Sequence, residues 1–316
     1  MDNIEVLAPA RSLPTTSLPI LEHLRRLPRL LSHCVREARP TVQVIFMVRF
    51  LTGLALVAPV AAQSPAHIAA AVLIWYAAVL YVYLINGAAD VVEDQVNHSR
   101  RPIASGLLSA VEATVVARVS AVLAIVGAYY YDQRTLLMPV LAMVVLGHLY
   151  SVPPFAFKRW SGASALTSGL GGVLTYDGGA LAGNGHVSRA LLVLTLAMSL
   201  WMGVVGTQAK DLSDVSGDRA AGRQTFAVLR DERWVRLLLA GTAAAVAVGF
   251  VLAADLIAPA LLVPASLLCL GALALAVTAL RGRHADSRTR RRLPYRIFMV
   301  PQYAAHLAVL VLFLAR

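Results

Sequence analysis

Asn86, Asp90 and Asp94 recur at four-residue steps, and Asp211, Asp214 and Asp218 form a second acidic group of similar pitch. Asp90 to Asp214 and Asp94 to Asp218 are each separated by 124 residues. On a helix, steps of three and four bring side chains to one face, so each group predicts an acidic face, and the equal offsets predict two related helical halves. Five converging carboxylates would repel one another and cost several kcal/mol each if buried unpaired. A cation is therefore expected between them. A few hard oxygen ligands, with room for water and phosphate, suit Mg²⁺. Arg100, Arg101, Lys158, Lys210, Arg219 and Arg223 lie near these groups and would meet the charge of a diphosphate that the metal leaves over. The alternative is that the aspartates are merely polar helix ends in solvated loops, and the repeated spacing argues against it.

Both groups close long apolar runs. The 316 residues are 58% hydrophobic and 14% charged, against about 45–50% and about 25% in soluble domains. A polytopic, all-α membrane bundle is expected. With about 20 residues needed to cross the bilayer core, nine spans fit, near 42–62, 66–89, 107–130, 135–151, 163–182, 188–209, 234–254, 257–280 and 294–314. Residues 42–316 then form one transmembrane domain with two acidic halves around a central cavity, and 1–41 precede it as an N-terminal segment on the cytoplasmic side. That segment lacks the pattern of a cleaved secretory signal; its stretch from Leu18 to Arg36 reads as an interfacial helix interrupted by Pro28, or as a loose tail. The loops on the side of the acidic groups, with the N-terminal segment and the span-end residues Arg236 and Arg296, hold 23 of the 28 Lys and Arg residues. This places the acidic mouth on the cytoplasmic face of a cell membrane. The net charge of +11 does not indicate nucleic acid, because the arginines punctuate apolar runs and no polar domain carries them. Cys34 and Cys269 make neither a disulfide framework nor a metal pattern.

The motifs resemble the UbiA superfamily of membrane prenyltransferases, whose members carry Asn-x-x-x-Asp-x-x-x-Asp after the second helix and Asp-x-x-x-Asp after the sixth. Here the first is Asn86, Asp90 and Asp94, followed by Asn97 and the stretch from Arg101 to Gly106; the second is Asp214 and Asp218, with Asp211 a turn earlier and Gly222 after. The loop from Tyr150 to Arg159, with its Ser-x-Pro-Pro sequence and Lys158, is most similar to the homogentisate prenyltransferase and chlorophyll synthase branch. The resemblance implies a nine-helix bundle with a central cavity, Mg²⁺-dependent binding of an isoprenyl diphosphate under cytoplasmic loops, and prenyl transfer to an acceptor, expected to be an aromatic small molecule.

In the mechanism expected from these residues, Asp90, Asp94, Asp214 and Asp218 hold the metal, and Asn86 and Asp211 complete the coordination. Lys158 and Arg101 contact phosphate oxygens, and Arg219 or Arg223 closes over the site. Aromatic faces stabilise allylic cations, so Tyr150, Phe155 and Phe157 are read either as cation stabilisers or as packing. Asp177, inside the fifth span, reads as an acceptor-binding group or base, or equally as a carboxyl paired with a helix donor. His148 and His306 read as satisfied core histidines. A terpene cyclase on the same scaffold is the nearest rival, since the motifs for ionising the substrate would be shared. A transporter with an aspartate relay is disfavoured, because its acids would sit at the bilayer midplane.

Overall fold

The computed structural model describes residues 19–58, 63–131, 134–184, 186–282 and 288–314. Helix α1 (Pro19–Glu37) runs through Pro28 without breaking. It turns at Arg39, whose φ of 58° is left-handed, into α2 (Pro40–Ala55). Then come α3 (Pro65–Ala89), the short α4 (Val91–Val96), α5 (Ala110–Tyr130), α6 (Leu137–Ser151) and α7 (Ser161–Ala182). The next rod is α8 (Arg189–Leu200), a π-helical stretch (Trp201–Gly206) and α9 (Thr207–Ala220) in succession. The chain continues through α10 (Phe226–Leu229), α11 (Glu232–Ile257), α12 (Leu262–Arg281), α13 (Arg288–Arg291) and α14 (Leu293–Leu314).

Among the described residues, six helical stretches are long and apolar enough to cross a membrane: α3, α5, the α8–α9 rod, α11, α12 with the turn before it, and α14. The other three predicted spans also fall on helices, α2, α6 and α7, with residues 59–62 at the end of the first predicted span lying outside the described residues. Two of them, α2 and α6, are only 16 and 15 residues long, about 24 Å at 1.5 Å per residue, short of the ~30 Å core.

Helices in lipid gain little from apolar burial against one another and associate through close packing of small residues. The sequence supplies such seams. On α5, Ala113, Ala117, Ala121, Ala124 and Ala128 are buried, whereas Val111, Val115, Val119 and Val122 are exposed. The small residues thus face α3 and the branched ones face outward, as lipid requires. One apolar core joins α8, α11, α12 and α14, and another joins α2, α3, α6 and α7. Met299 packs against both, and an apolar cavity opens beside it.

Candidate active site

Two loops distant in sequence converge on Asp90. Helix α3 stops at Ala89 and α4 begins at Val91, so Asp90 sits between them at φ −101° and ψ 12°. The sequence predicts one continuous face through Asn86, Asp90 and Asp94; the helix instead breaks there. A cation takes the place of the lost helical bonds. Lys158 Nζ donates to the Ala89 carbonyl at 3.2 Å and also grips the Asp90 carboxylate.

Lys158 lies in a 3₁₀ turn (Phe157–Arg159) before α7, and Arg223 lies just after α9. Their loops are tied by a parallel bridge between Trp160 and Gln224, with Gln224 N donating to Arg159 O at 2.7 Å. Phe226 N donates to Ser161 Oγ, also at 2.7 Å. Both cations therefore reach the same carboxylate.

Arg223 links the two acidic groups. Its Nη2 is 2.6 Å from Asp90 and 2.8 Å from Glu93, and its Nη1 is 3.3 Å from Asp218. Burial by itself would raise the Asp90 pKa, but Lys158 and Arg223 outweigh it and hold the carboxyl well below the usual range. Burial opposes the Arg223 charge in turn, and Asp90 and Asp218 more than offset this, raising its pKa. Arg101 serves the other side of the cluster, with Nη1 2.6 Å from Asp94 and 4.0 Å from Asp90.

The short helix α4 lies directly on α9. Gly217 N donates to Asn97 Oδ1 at 3.1 Å, and a Cβ on Gly217 would stand 2.2 Å from Asn97 Nδ2 and 2.5 Å from the Glu93 carbonyl. Glycine is what lets the two acidic groups approach. Gly217→Ala is expected to push α9 off α4 and lower catalytic turnover by at least about tenfold, since an error near 1 Å in placing a catalytic group costs up to about a hundredfold. Turnover at the wild-type rate in membranes of matched protein content would remove that packing role.

Two connected chambers meet this cluster. A polar antechamber of 300 Å³ is lined by Asp94, Asp214, Arg36, Arg100, Arg101 and Arg292 among others. An apolar chamber of 150 Å³ runs inward past Asn86, Asp90, Tyr150, Tyr83, Phe46 and Phe298. Arg39, Val42, Lys210 and Tyr295 line both and form the waist between them. At the waist Lys210 Nζ is 3.7 Å from Asp214.

The inner end of the apolar chamber holds a second polar group. Arg49 and Gln302 line it, with Arg49 Nη2 donating to Gln302 Oε1 at 2.5 Å. Arg49 is 1% exposed, its Nε has no hydrogen-bond partner, and no ion pair to it exists among the described residues. Behind it, Tyr176 OH meets His306 Nε2, and His306 Nδ1 meets the Gln302 carbonyl.

The sequence from residue 46 to residue 300 matches the UbiA prenyltransferase family. The chain belongs to that family. Among curated proteins, a chloroplastic 2-acylphloroglucinol 4-prenyltransferase from Humulus lupulus is 29% identical over 172 residues, covering 51% of this chain and 41% of the relative. The match thus spans well under half of the relative's own length. Among solved structures, a UbiA homolog from Archaeoglobus fulgidus bound to DMAPP and Mg²⁺ superposes with TM-score 0.64 at 18% identity, covering 87% of this chain and 99% of the other. A digeranylgeranylglyceryl phosphate synthase gives TM-score 0.64 at 14% identity, covering 91% and 99%. These likenesses show the all-helical UbiA fold, and membership of the family together with six candidate spans marks an integral membrane protein.

Within this UbiA fold the residues singled out from sequence separate. Asp90, Asp94, Asp214, Asn86, Arg101, Tyr150, Lys210 and Arg223 line one or both chambers, and Asp218 joins them through Arg223. Lys158 is buried in the ion pair beneath Asp90 and lines neither chamber. Asp211 lines a separate 80 Å³ recess behind α9 with Ser161, Gln208 and Phe226. Arg219 is exposed on the last turn of α9, and Asp177 is exposed on the outer side of α7; neither lines a chamber. Phe155 is 48% exposed, packing edge-on against Phe157. His148 contacts Tyr81 OH at 3.2 Å, and His306 is fully buried. Sequence reasoning missed Arg39, Glu93, Tyr83, Gln302 and Arg49 as site residues. A lone arginine in an apolar run is a signal that could have found the last.

Proposed function

We propose that this chain is a Mg²⁺-dependent prenyltransferase that ionises an allylic isoprenyl diphosphate and joins the prenyl group to an aromatic acceptor, phenolic or quinone-type. The observation that carries this reading is the paired chambers, one rich in arginine and carboxylate and one apolar, meeting at a narrow waist beside Asp90. A diphosphate headgroup with a hydrocarbon tail has the same division. The relatives' names support the choice of substrates: a neighbouring structure holds GPP with Mg²⁺, and the curated relatives are 2-acylphloroglucinol prenyltransferases.

The residues present fit a bound Mg²⁺. Among the described residues no three acidic, imidazole or thiol groups stand close enough to hold a metal alone, but Mg²⁺ takes one or two carboxylates and completes its shell with water and phosphate. Asp218 Oδ2 is buried without a hydrogen-bond partner, and Arg223 already supplies positive charge between Asp90 and Asp218. Asp90, Asp94, Asp214 and Asp218 would hold the metal, with Asn86 as a further oxygen donor near it, whereas Asp211 faces the recess behind α9. Bound there, it would neutralise the charge that develops on the leaving diphosphate.

The chain's own groups do the rest. Arg39, Arg100, Arg101 and Lys210 hold the diphosphate oxygens in the antechamber, and Lys158 and Arg223 fix the Asp90 carboxylate. The allylic C–O bond breaks at the waist, and Tyr150 and Tyr83, which line the apolar chamber beside it, are the aromatic groups available to stabilise the cation. A ring carbon of the acceptor forms the new C–C bond and then gives its proton to the released diphosphate, and the apolar walls keep water from the cation. The acceptor's oxygen substituents meet Arg49 and Gln302. That buried, unneutralised arginine favours transfer to an oxygenated acceptor over cyclisation of a hydrocarbon chain alone. The excess of Lys and Arg in the loops on that side supports an antechamber that faces the cytoplasm.

Supplying ten-, fifteen- and twenty-carbon prenyl diphosphates to membranes containing the protein, with and without phenolic acceptors, tests the reading. Prenylated phenol formed only with acceptor is expected; cyclic terpene formed without one would assign the chain to cyclisation instead. Arg49→Leu is expected to raise the acceptor KM by about tenfold to a hundredfold, the cost of a lost charge-assisted hydrogen bond of about 1.5–3 kcal/mol. The KM for prenyl diphosphate should stay within about twofold. An unchanged acceptor KM would remove Arg49 from the acceptor site.

A further inference from the structure

The region that matches the family begins at residue 46, yet a residue upstream of it is built into the site. Glu37, the last residue of α1, has no exposed surface. Its Oε1 is 2.8 Å from Arg101 Nη2, and its Oε2 accepts from Ile103 N at 2.9 Å. The Glu37 carbonyl accepts from the same Nη2 at 3.1 Å. The other edge of that guanidinium faces Asp94, at 2.6 Å. The pair fills a notch on α3 at Gly87, next to Asn86, where a Cβ would stand 2.3 Å from Glu37 Oε1 and 2.6 Å from Arg101 Nη2.

A buried carboxylate that binds both an arginine and the backbone two residues beyond it fixes where that arginine can point. Resting on the diphosphate reading above, we propose that Glu37 is a positioning residue: it takes one edge of the Arg101 guanidinium, so that the other edge and Asp94 stay set for the metal and diphosphate. Without its charge, the full guanidinium turns on Asp94, and a carboxylate of the antechamber wall is occupied by a permanent cation. Helix α1 is then part of the catalytic unit, and its contact with the bundle sets the state of the antechamber.

The test is calorimetric binding of inorganic diphosphate in the presence of Mg²⁺ to the purified full chain, with thermal unfolding recorded alongside. Removing partners that orient metal ligands costs 10–100-fold in affinity as a rule. Glu37→Gln, which keeps shape and removes charge, is expected to weaken binding by about tenfold or more and to raise the Mg²⁺ concentration for half-saturation. A variant that melts earlier but binds diphosphate and Mg²⁺ like the wild type overturns the proposal, because Glu37 would then only anchor α1. If Glu37→Gln does not fold, Gly87→Ala displaces the same pair from outside it. Weakened binding there supports the proposal, and unaltered binding overturns it. Wild-type protein that binds no diphosphate would instead sink the functional reading beneath it.

Discussion

Asp90→Asn is expected to lower turnover by at least about a thousandfold. Removing one preorganised electrostatic group from a transition state costs on the order of 10²–10³ in kcat, and under the proposed function Asp90 would serve as a ligand to the metal besides being the partner that holds Lys158 and Arg223 in register. Its loss leaves Glu93, at 3.9 Å, as the one carboxylate paired with Lys158 among the described residues. Breaking a buried pair by removing one member costs about 3–5 kcal/mol, so the melting temperature should fall as well. Arg219→Ala provides the contrast. Arg219 is exposed and lines neither chamber, and its removal should leave turnover within about twofold. Comparable losses in the two variants, measured as diphosphate release in matched membranes, would mean that the buried cluster has no special part in the reaction.

Chelation is expected to be equally severe and, unlike the substitution, reversible. EDTA should abolish diphosphate release, and added Mg²⁺ should restore it, because the oxygen donors around the waist are too few to hold a divalent ion without substrate phosphate. Affinity for the metal should rise when prenyl diphosphate is present, by the reciprocity of linked binding. Release that continues at full rate in EDTA would leave the arginines and Lys158 as the whole of the electrostatic machinery.

The acidic groups were legible in sequence because spacing of three and four along apolar runs has one structural meaning, a shared helical face at a membrane boundary. The break at Asp90 was not. It depends on Lys158, delivered from a loop 68 residues away, which accepts the role that the next helical turn would have filled. Arg219 and Arg223 were indistinguishable in sequence, being four residues apart on the same basic stretch. Helix α9 ends between them, and Gly222, with φ of 67°, turns the chain so that Arg223 points inward while Arg219 stays on the outer surface. Asp177 looked functional because charged groups within spans are costly, but its direction depends on how α7 is rotated, which the glycines on several of its faces leave open in sequence. The short spans at α2 and α6 show the same limit: apolar length marks a segment, whereas its helical extent depends on where Leu56 and Val152 leave the helix.

Electron paramagnetic resonance of Mn²⁺ substituted for Mg²⁺, with inorganic diphosphate bound to the purified chain, addresses the shared site directly. The account predicts a phosphorus hyperfine coupling to the bound Mn²⁺ that disappears in Asp90→Asn and equally in Asp218→Asn, since both acidic stretches must contribute. A coupling that survives intact when either stretch is neutralised would contradict it.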